Sequence, residues 1–194
     1  MILYTIWYST INYDNFLNTL KLNGINFLVD VRSYPEKVSK IKWFNREIFK
    51  WSKLKKALVQ DGIGYKFLWD KLWWDVFDTN DWLKTAKLLI SKNNIWEIIS
   101  FYEKYFENNK DKILNWLREL YLLQKKYKVI IMCSEENPYI CHRRNLIVKK
   151  LNDLLKWKED FKVYHIRTYQ KPKFSFKIEE DNLVFKEQNI LFTV

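Results

Sequence analysis

Short, largely β-branched apolar runs alternate along this chain with segments whose apolar residues recur every three or four positions. Ile2–Trp7, Asn26–Val31, Tyr65–Leu68, Lys128–Met132 and Lys162–Ile166 are of the first kind and predict strands. Beyond its leading lysine the fourth run is wholly apolar, the pattern of a strand covered on both faces. Helical periods lie between them. Tyr13 to Lys21 sets Phe16, Leu17 and Leu20 on one face, and Gly24 supplies a stop. Phe44-Asn45-Arg46-Glu47-Ile48-Phe49 has the form of a hydrophobic staple around an Asn cap and predicts a helix to about Gln60. Ile113, Leu117, Leu120 and Leu123 mark a helix leading into the fourth strand. Asn137-Pro138 predicts one more helix start, with Leu146, Ile147, Leu151, Leu154 and Leu155 inward and Arg143, Lys149 and Lys150 outward.

Such alternation predicts an α/β fold: an open, mainly parallel sheet with helices on both faces, spanning about residues 1–166. Residues 69–110 break the pattern. Trp69, Trp73, Trp74, Trp82 and Trp96 crowd there with Phe77, Phe101, Tyr102, Tyr105 and Phe106, predicting an aromatic-rich helical insertion. Those rings pack together or offer faces for base stacking. The end of the chain, 167–194, reads as a short β extension, a hairpin of FSFKI and LVFKE packed on the same domain.

Composition narrows the function classes. No apolar run reaches the ~20 residues of a bilayer span, and MILYTIWYS is no export leader, so a cytoplasmic protein without a membrane partner is expected. Two cysteines in a reducing compartment point to thiol or ligand roles rather than a disulfide framework. The net charge of +11 and pI near 9.4 favour a polyanionic partner, a phosphate-containing small molecule or nucleic acid. Lys42 to Lys66 is the densest basic stretch, and Arg46, Lys50 and Lys53 fall on one predicted stripe, either a solvated face or a phosphate contact.

Reactive residues gather where strands end. Ligands of parallel sheets bind at the carboxyl ends of strands, beside helix N-termini that favour anions. Ser9, Asp30, Arg32, Ser33, Cys133 and Glu135 occupy such ends, and His142, Arg143 and Arg144 follow at the next helix start. Arg32, Arg143 and Arg144 suit an anion pocket; Glu135 and His142 suit acid–base work, and Cys133 suits a nucleophile. Each has a structural alternative. Asp30 and Arg32 can form an internal salt bridge, Cys141 can serve as a small buried hydrophobe, and His142 can cap the turn. Zinc on Cys133, Cys141, His142 and His165 is conceivable by residue type, but Arg and Glu among these positions suit anion binding better. Neither metal nor cofactor is expected.

With the pieces placed, the chain resembles the domain-of-unknown-function family numbered 488. Its hallmarks are an Asp-Val-Arg-Ser-x-Pro segment and a Cys-x-Glu…Pro…Cys-His-Arg segment, standing here at Asp30 to Pro35 and Cys133 to Arg143. The resemblance implies an α/β sheet domain and brings no established reaction. Where the family has Gly-His-Ser after the first strand, this chain has Trp7-Tyr8-Ser9; where it has Leu-Gly-Gly after the third, this chain has Leu72-Trp73-Trp74. Leu28 to Arg32 also resembles rhodaneses, whose anion loop runs about six positions from Cys to Arg. Cys133 to Arg143 spans ten with Pro138 inside, which is a different loop. The expectation is a pocket for a phosphorylated or nucleotide-like anion, in an enzyme acting on nucleotide or nucleic acid. The alternative is a non-catalytic basic nucleic-acid-binding module, and the two departures favour, third, a partner protein with a decayed site.

Overall fold

A computed structural model describes residues 1–8, 11–32, 35–36, 46–68, 85, 88–89, 91, 95–155, 160–169 and 175–182. Six strands form one sheet: β1 (Ile2–Trp7), β2 (Phe27–Asp30), β3 (Gly64–Phe67), β4 (Val129–Cys133), β5 (Lys162–Tyr169) and β6 (Ser175–Glu180). Their order is β3-β2-β4-β1-β5-β6, with the first five parallel and β6 antiparallel to β5. The α/β architecture is thereby established. Helices α1 (Tyr13–Leu22), α2 (Trp51–Gln60), α3 (Ile95–Asn108), α4 (Lys110–Lys126) and α5 (Lys149–Leu155) supply the layers. Among the described residues no helix is long and apolar enough to cross a membrane.

Side-chain alternation along each strand divides the core between the two sheet faces. In β4, Val129, Ile131 and Cys133 join Leu117 and Leu120 of α4 and Leu151 and Leu155 of α5. Ile130 and Met132 join Phe16 and Leu20 of α1 and Leu54 and Leu58 of α2 on the opposite face. Local chemistry places these helices. The Asn12 side chain accepts the Asn15 N–H at 2.9 Å to start α1, and Gly24 at φ 62° lets the chain reverse after it. At Gly64 the constraint is proximity. A Cβ there would lie 2.4 Å from the Phe27 ring on the neighbouring strand.

Two elements differ from the sequence expectation. The second helix begins at Trp51, after a separate 3-10 turn at Glu47–Phe49. Phe49 is drawn fully into the core against Tyr8 and Phe16, and Lys50 turns extended at ψ 136°, which breaks any continuous helix. Phe44 and Asn45 lie outside the described residues. The segment after Asn137 is likewise interrupted: a 3-10 turn (Pro138–Ile140), a π-helix (Arg143–Val148), then α5. Arg143, Lys149 and Lys150, expected outward, are buried. An extra residue per π turn rotates the succeeding helix, and Glu103 of α3 meets both lysine ammoniums, so their burial is compensated. The strand from FSFKI pairs with β5, and LVFKE, its expected hairpin partner, lies outside the described residues. Of the expected insertion, α3 is described; Trp69, Trp73, Trp74 and Trp82 are not.

Candidate functional site

β1 sends its connection past β4 to β2, whereas β4 sends its own past β1 to β5. Adjacent carboxyl ends that part in opposite directions open a crevice, the usual ligand position in such sheets. Trp7 and Cys133 are register partners at this point. Four reactive side chains meet beside it: Cys133 from the end of β4, Glu135 from the following turn, and Cys141 and His142 from just before the π-helix. Their donor atoms all lie within 4.8 Å of one another.

The cluster is internally bonded. One Glu135 carboxylate oxygen accepts from the Cys133 thiol at 2.7 Å and from the Cys141 thiol at 3.3 Å. His142 Nε2 is 2.9 Å from the Val31 carbonyl, which can only accept, so that nitrogen carries the proton and Nδ1 is left as an acceptor. Nδ1 lies 3.9 Å from Cys141 Sγ and 4.0 Å from Cys133 Sγ. The Arg143 backbone N–H donates to Cys141 Sγ at 3.4 Å. Both thiols and the imidazole are buried, and Glu135 is partly buried with its carboxyl end turned in among them.

This setting splits the ordinary ionisation of the groups. Burial, then the contact with Cys141 and the charge of Glu135, push the Cys133 thiol up. Burial opposes ionisation of Cys141 too, but the Cys133 hydrogen bond, Arg143 and His142 outweigh it and hold that thiol low. Glu135 is raised, chiefly by burial. Burial disfavours His142 imidazolium, yet Cys141 and Glu135 reverse this and raise it. A buried array of two thiols, a carboxyl and an imidazole can store and exchange protons, supply a thiolate, or ligate a metal.

The arginines have other partners than a shared pocket. Arg32 is paired with Asp30, Nη2 to Oδ2 at 2.6 Å and Nε to Oδ1 at 2.9 Å, and it stacks 4.7 Å above the Tyr8 ring. Tyr65 donates its hydroxyl to the same Asp30 at 2.7 Å, and burial followed by that carboxylate keeps the phenol un-ionised far into alkali. Arg143 donates Nη1 to the Glu135 carbonyl and Nη2 to the Glu136 carbonyl at 2.8 Å, fastening the turn that carries Glu135. Arg144 grips Asp181 through Nε at 2.6 Å and Nη2 at 2.9 Å. Asp181 in turn accepts from His165 Nε2 at 3.0 Å, and His165 Nδ1 accepts the Thr5 hydroxyl at 2.7 Å. Arg32, Arg143, Arg144, Asp181 and His165 are all buried.

Of the sequence candidates, Cys133, Glu135 and His142 come together, while Arg32, Arg143 and Arg144 each serve a separate internal contact. Arg46 is buried and lies before the 3-10 turn, not on the α2 stripe; Lys50 and Lys53 share Glu47 at 2.9 and 3.3 Å. Ser9 and Ser33 lie outside the described residues. Cys141, expected mainly to fill space, is part of the cluster. Tyr65 and Asp181 were missed, and nothing local marks either. They reach their partners across 35 and 37 residues of chain.

Among the described residues, the buried N–H groups at this edge without a hydrogen-bond partner include Trp7 Nε1, Arg32 Nη1 and Arg143 Nε. They belong to the ends of β1, β2 and the β4 connection respectively. No curated protein and no solved structure matches the chain significantly. A family model does, over residues 12–151, a span that holds both the Asp30 to Pro35 and the Cys133 to Arg143 segments and leaves Trp7-Tyr8 outside. With most of its length matched, and with the α/β sheet that places both segments at one edge, the chain belongs to the family described as Domain of unknown function DUF488.

Proposed function

We propose that the protein binds a phosphate-bearing anion, a nucleotide or phosphate ester, at the carboxyl edge of its parallel sheet. Cys133, Glu135 and His142 are the reactive groups of that edge. The observation that carries this reading is the set of unpartnered donors on Trp7, Arg32 and Arg143. Leaving a buried N–H unsatisfied costs about 1–3 kcal/mol, more on a charged group, so three at one edge call for a guest. All three are donors and two belong to cations, which selects a guest rich in acceptors and negatively charged. The net charge of +11 favours such a guest further, and two free thiols suit a reducing, cytoplasmic setting.

A non-catalytic nucleic-acid module draws on the same charge but less on geometry, since Arg46 is buried and both lysines turn to Glu47. The two readings separate in one experiment. Thermal unfolding of the full chain is followed with inorganic phosphate, nucleotides and a short oligonucleotide at matched ionic strength. The pocket reading expects stabilisation by a mononucleotide or phosphate ester, largely lost in Trp7→Phe, which keeps an aromatic ring and removes the donor. A ligand at about 100 times its Kd should contribute about 2.7 kcal/mol. Stabilisation by the oligonucleotide alone, vanishing with added salt and indifferent to Trp7→Phe, supports the module instead.

A further inference from the structure

The cluster beside this edge has a donor set that acid–base work alone does not require. We infer that Cys133, Glu135, Cys141 and His142 form a four-ligand site for zinc. Two short chelating arms supply it, Cys133 with Glu135 and Cys141 with His142, and the turn between them is already folded. Asn137 caps that turn by accepting the Tyr139 N–H at 3.0 Å, and Asn145 Nδ2 donates to the Tyr139 carbonyl at 2.7 Å.

Geometry supports the assignment. Zinc bonds of about 2.0–2.3 Å in a tetrahedron put neighbouring ligand atoms roughly 3.3–3.8 Å apart. Here Cys141 Sγ to Glu135 Oε2 is 3.3 Å, Cys141 Sγ to His142 Nδ1 is 3.9 Å and Cys133 Sγ to His142 Nδ1 is 4.0 Å. Cys133 Sγ to Glu135 Oε2, at 2.7 Å, must open, since a thiol proton bridges that pair. The surroundings suit a ligating histidine: Nε2–H is fixed on the Val31 carbonyl, Nδ1 lies 3.9 Å from Cys141 Sγ, and Cys133 Sγ sits beside the ring, 3.7 Å from Nε2 and 4.0 Å from Nδ1. The Arg143 N–H aimed at Cys141 Sγ favours a thiolate, and the Arg143 guanidinium is held over the same turn.

The charge balance is simple. Zn²⁺ replaces the two thiol protons, which leave to solvent, and with the carboxylate the centre carries one net negative charge beside Arg143. Thiolate with imidazole and carboxylate suits zinc better than magnesium or calcium, which take all-oxygen shells. Residue types in sequence spoke against zinc because arginine and glutamate stand among these positions, which suits anion binding better. In the fold that glutamate is the fourth donor, and His165, the other candidate, is engaged with Thr5 and Asp181.

The test uses the full chain, reduced, stripped with a chelator and titrated with Co²⁺ and then Zn²⁺. Saturation is expected at one Co²⁺ per chain, with the thiolate-to-cobalt charge-transfer band and the visible bands of a tetrahedral site, both erased by Zn²⁺. Cys133→Ser and Cys141→Ser should each weaken the charge-transfer band and together abolish it. If those variants fail to fold, X-ray absorption at the zinc edge of the unmodified chain decides, with two sulfur neighbours near 2.3 Å expected, roughly the ordinary Zn–S length. A zinc shell without sulfur, no charge-transfer band in the unmodified chain, or a band untouched in the double variant overturns the assignment. The donors that carry the anion reading, on Trp7, Arg32 and Arg143, belong to none of the four side chains of the zinc site. Phosphate stabilisation lost with the cobalt spectrum intact sinks that reading alone, and the reverse result sinks this one alone.

Discussion

Glu103 shows how much one carboxylate can carry. It meets the ammoniums of Lys149 and Lys150, both buried, and Lys150 also lies 4.1 Å over the Phe106 ring. Taking away the carboxylate leaves two buried cations poorly compensated, and breaking a buried pair costs about 3–5 kcal/mol. Glu103→Gln should therefore lose stability in that range in urea unfolding, while Lys150→Met, which keeps an apolar stem against Phe106, should lose far less. Asp30 has a similar position, facing Arg32 and the Tyr65 hydroxyl. Asp30→Asn should destabilise by several kcal/mol, and adding Tyr65→Phe should cost less than the sum of the two, because they share one network.

At the scale of elements, strands β2 and β3 approach each other as closely as their side chains permit. The Phe27 ring sits where a Gly64 side chain would be, and it stacks on Tyr127 at 4.9 Å between ring centres. Gly64→Ala should therefore cost about 1–3 kcal/mol through forced movement of that ring, read as a lowered urea midpoint at unchanged slope. β6 is held at the opposite side of the sheet by a different device. Asp181, just after it, joins Arg144 of the π-helix to His165 of β5, so strand, helix and sheet edge are fastened by one carboxylate.

For the whole molecule, that carboxylate sets part of the acid stability. Burial opposes its ionisation, but the His165 hydrogen bond and Arg144 prevail and hold Asp181 at about 2 against an ordinary 3.8. A depressed carboxyl stabilises the fold above its unfolded value and loses that contribution as pH falls from 3.8 toward 2. At about 1.4 kcal/mol per unit, the loss is at most about 2–3 kcal/mol. His165 is also depressed, chiefly by burial, so the unfolded chain takes up its proton first and stability starts to fall below the ordinary 6.5. Urea unfolding against pH should show both limbs, and Asp181→Asn should remove the lower one. With a net charge of +11 at neutral pH, self-repulsion adds to the same acid loss.

Local periodicity was enough to determine the strands and most helices, because a run buried on both faces and a stripe every three to four residues are properties of neighbours in sequence. It also determined which residues end beside β2 and β4, hence that Asp30, Arg32, Cys133, Glu135 and His142 lie at one rim. Partners were decided only by the tertiary structure. Arg32 turns to Asp30, Arg143 to two carbonyls, Arg144 to Asp181, and Lys149 and Lys150 to Glu103. A long charged side chain can be buried only where its counter-charge is brought to it, and for most of these the counter-charge comes from a segment that no window of sequence contains. The π turn after His142 was hidden for the same reason: packing against α3 and the sheet, not the propensity of Arg143 to Val148, widens it.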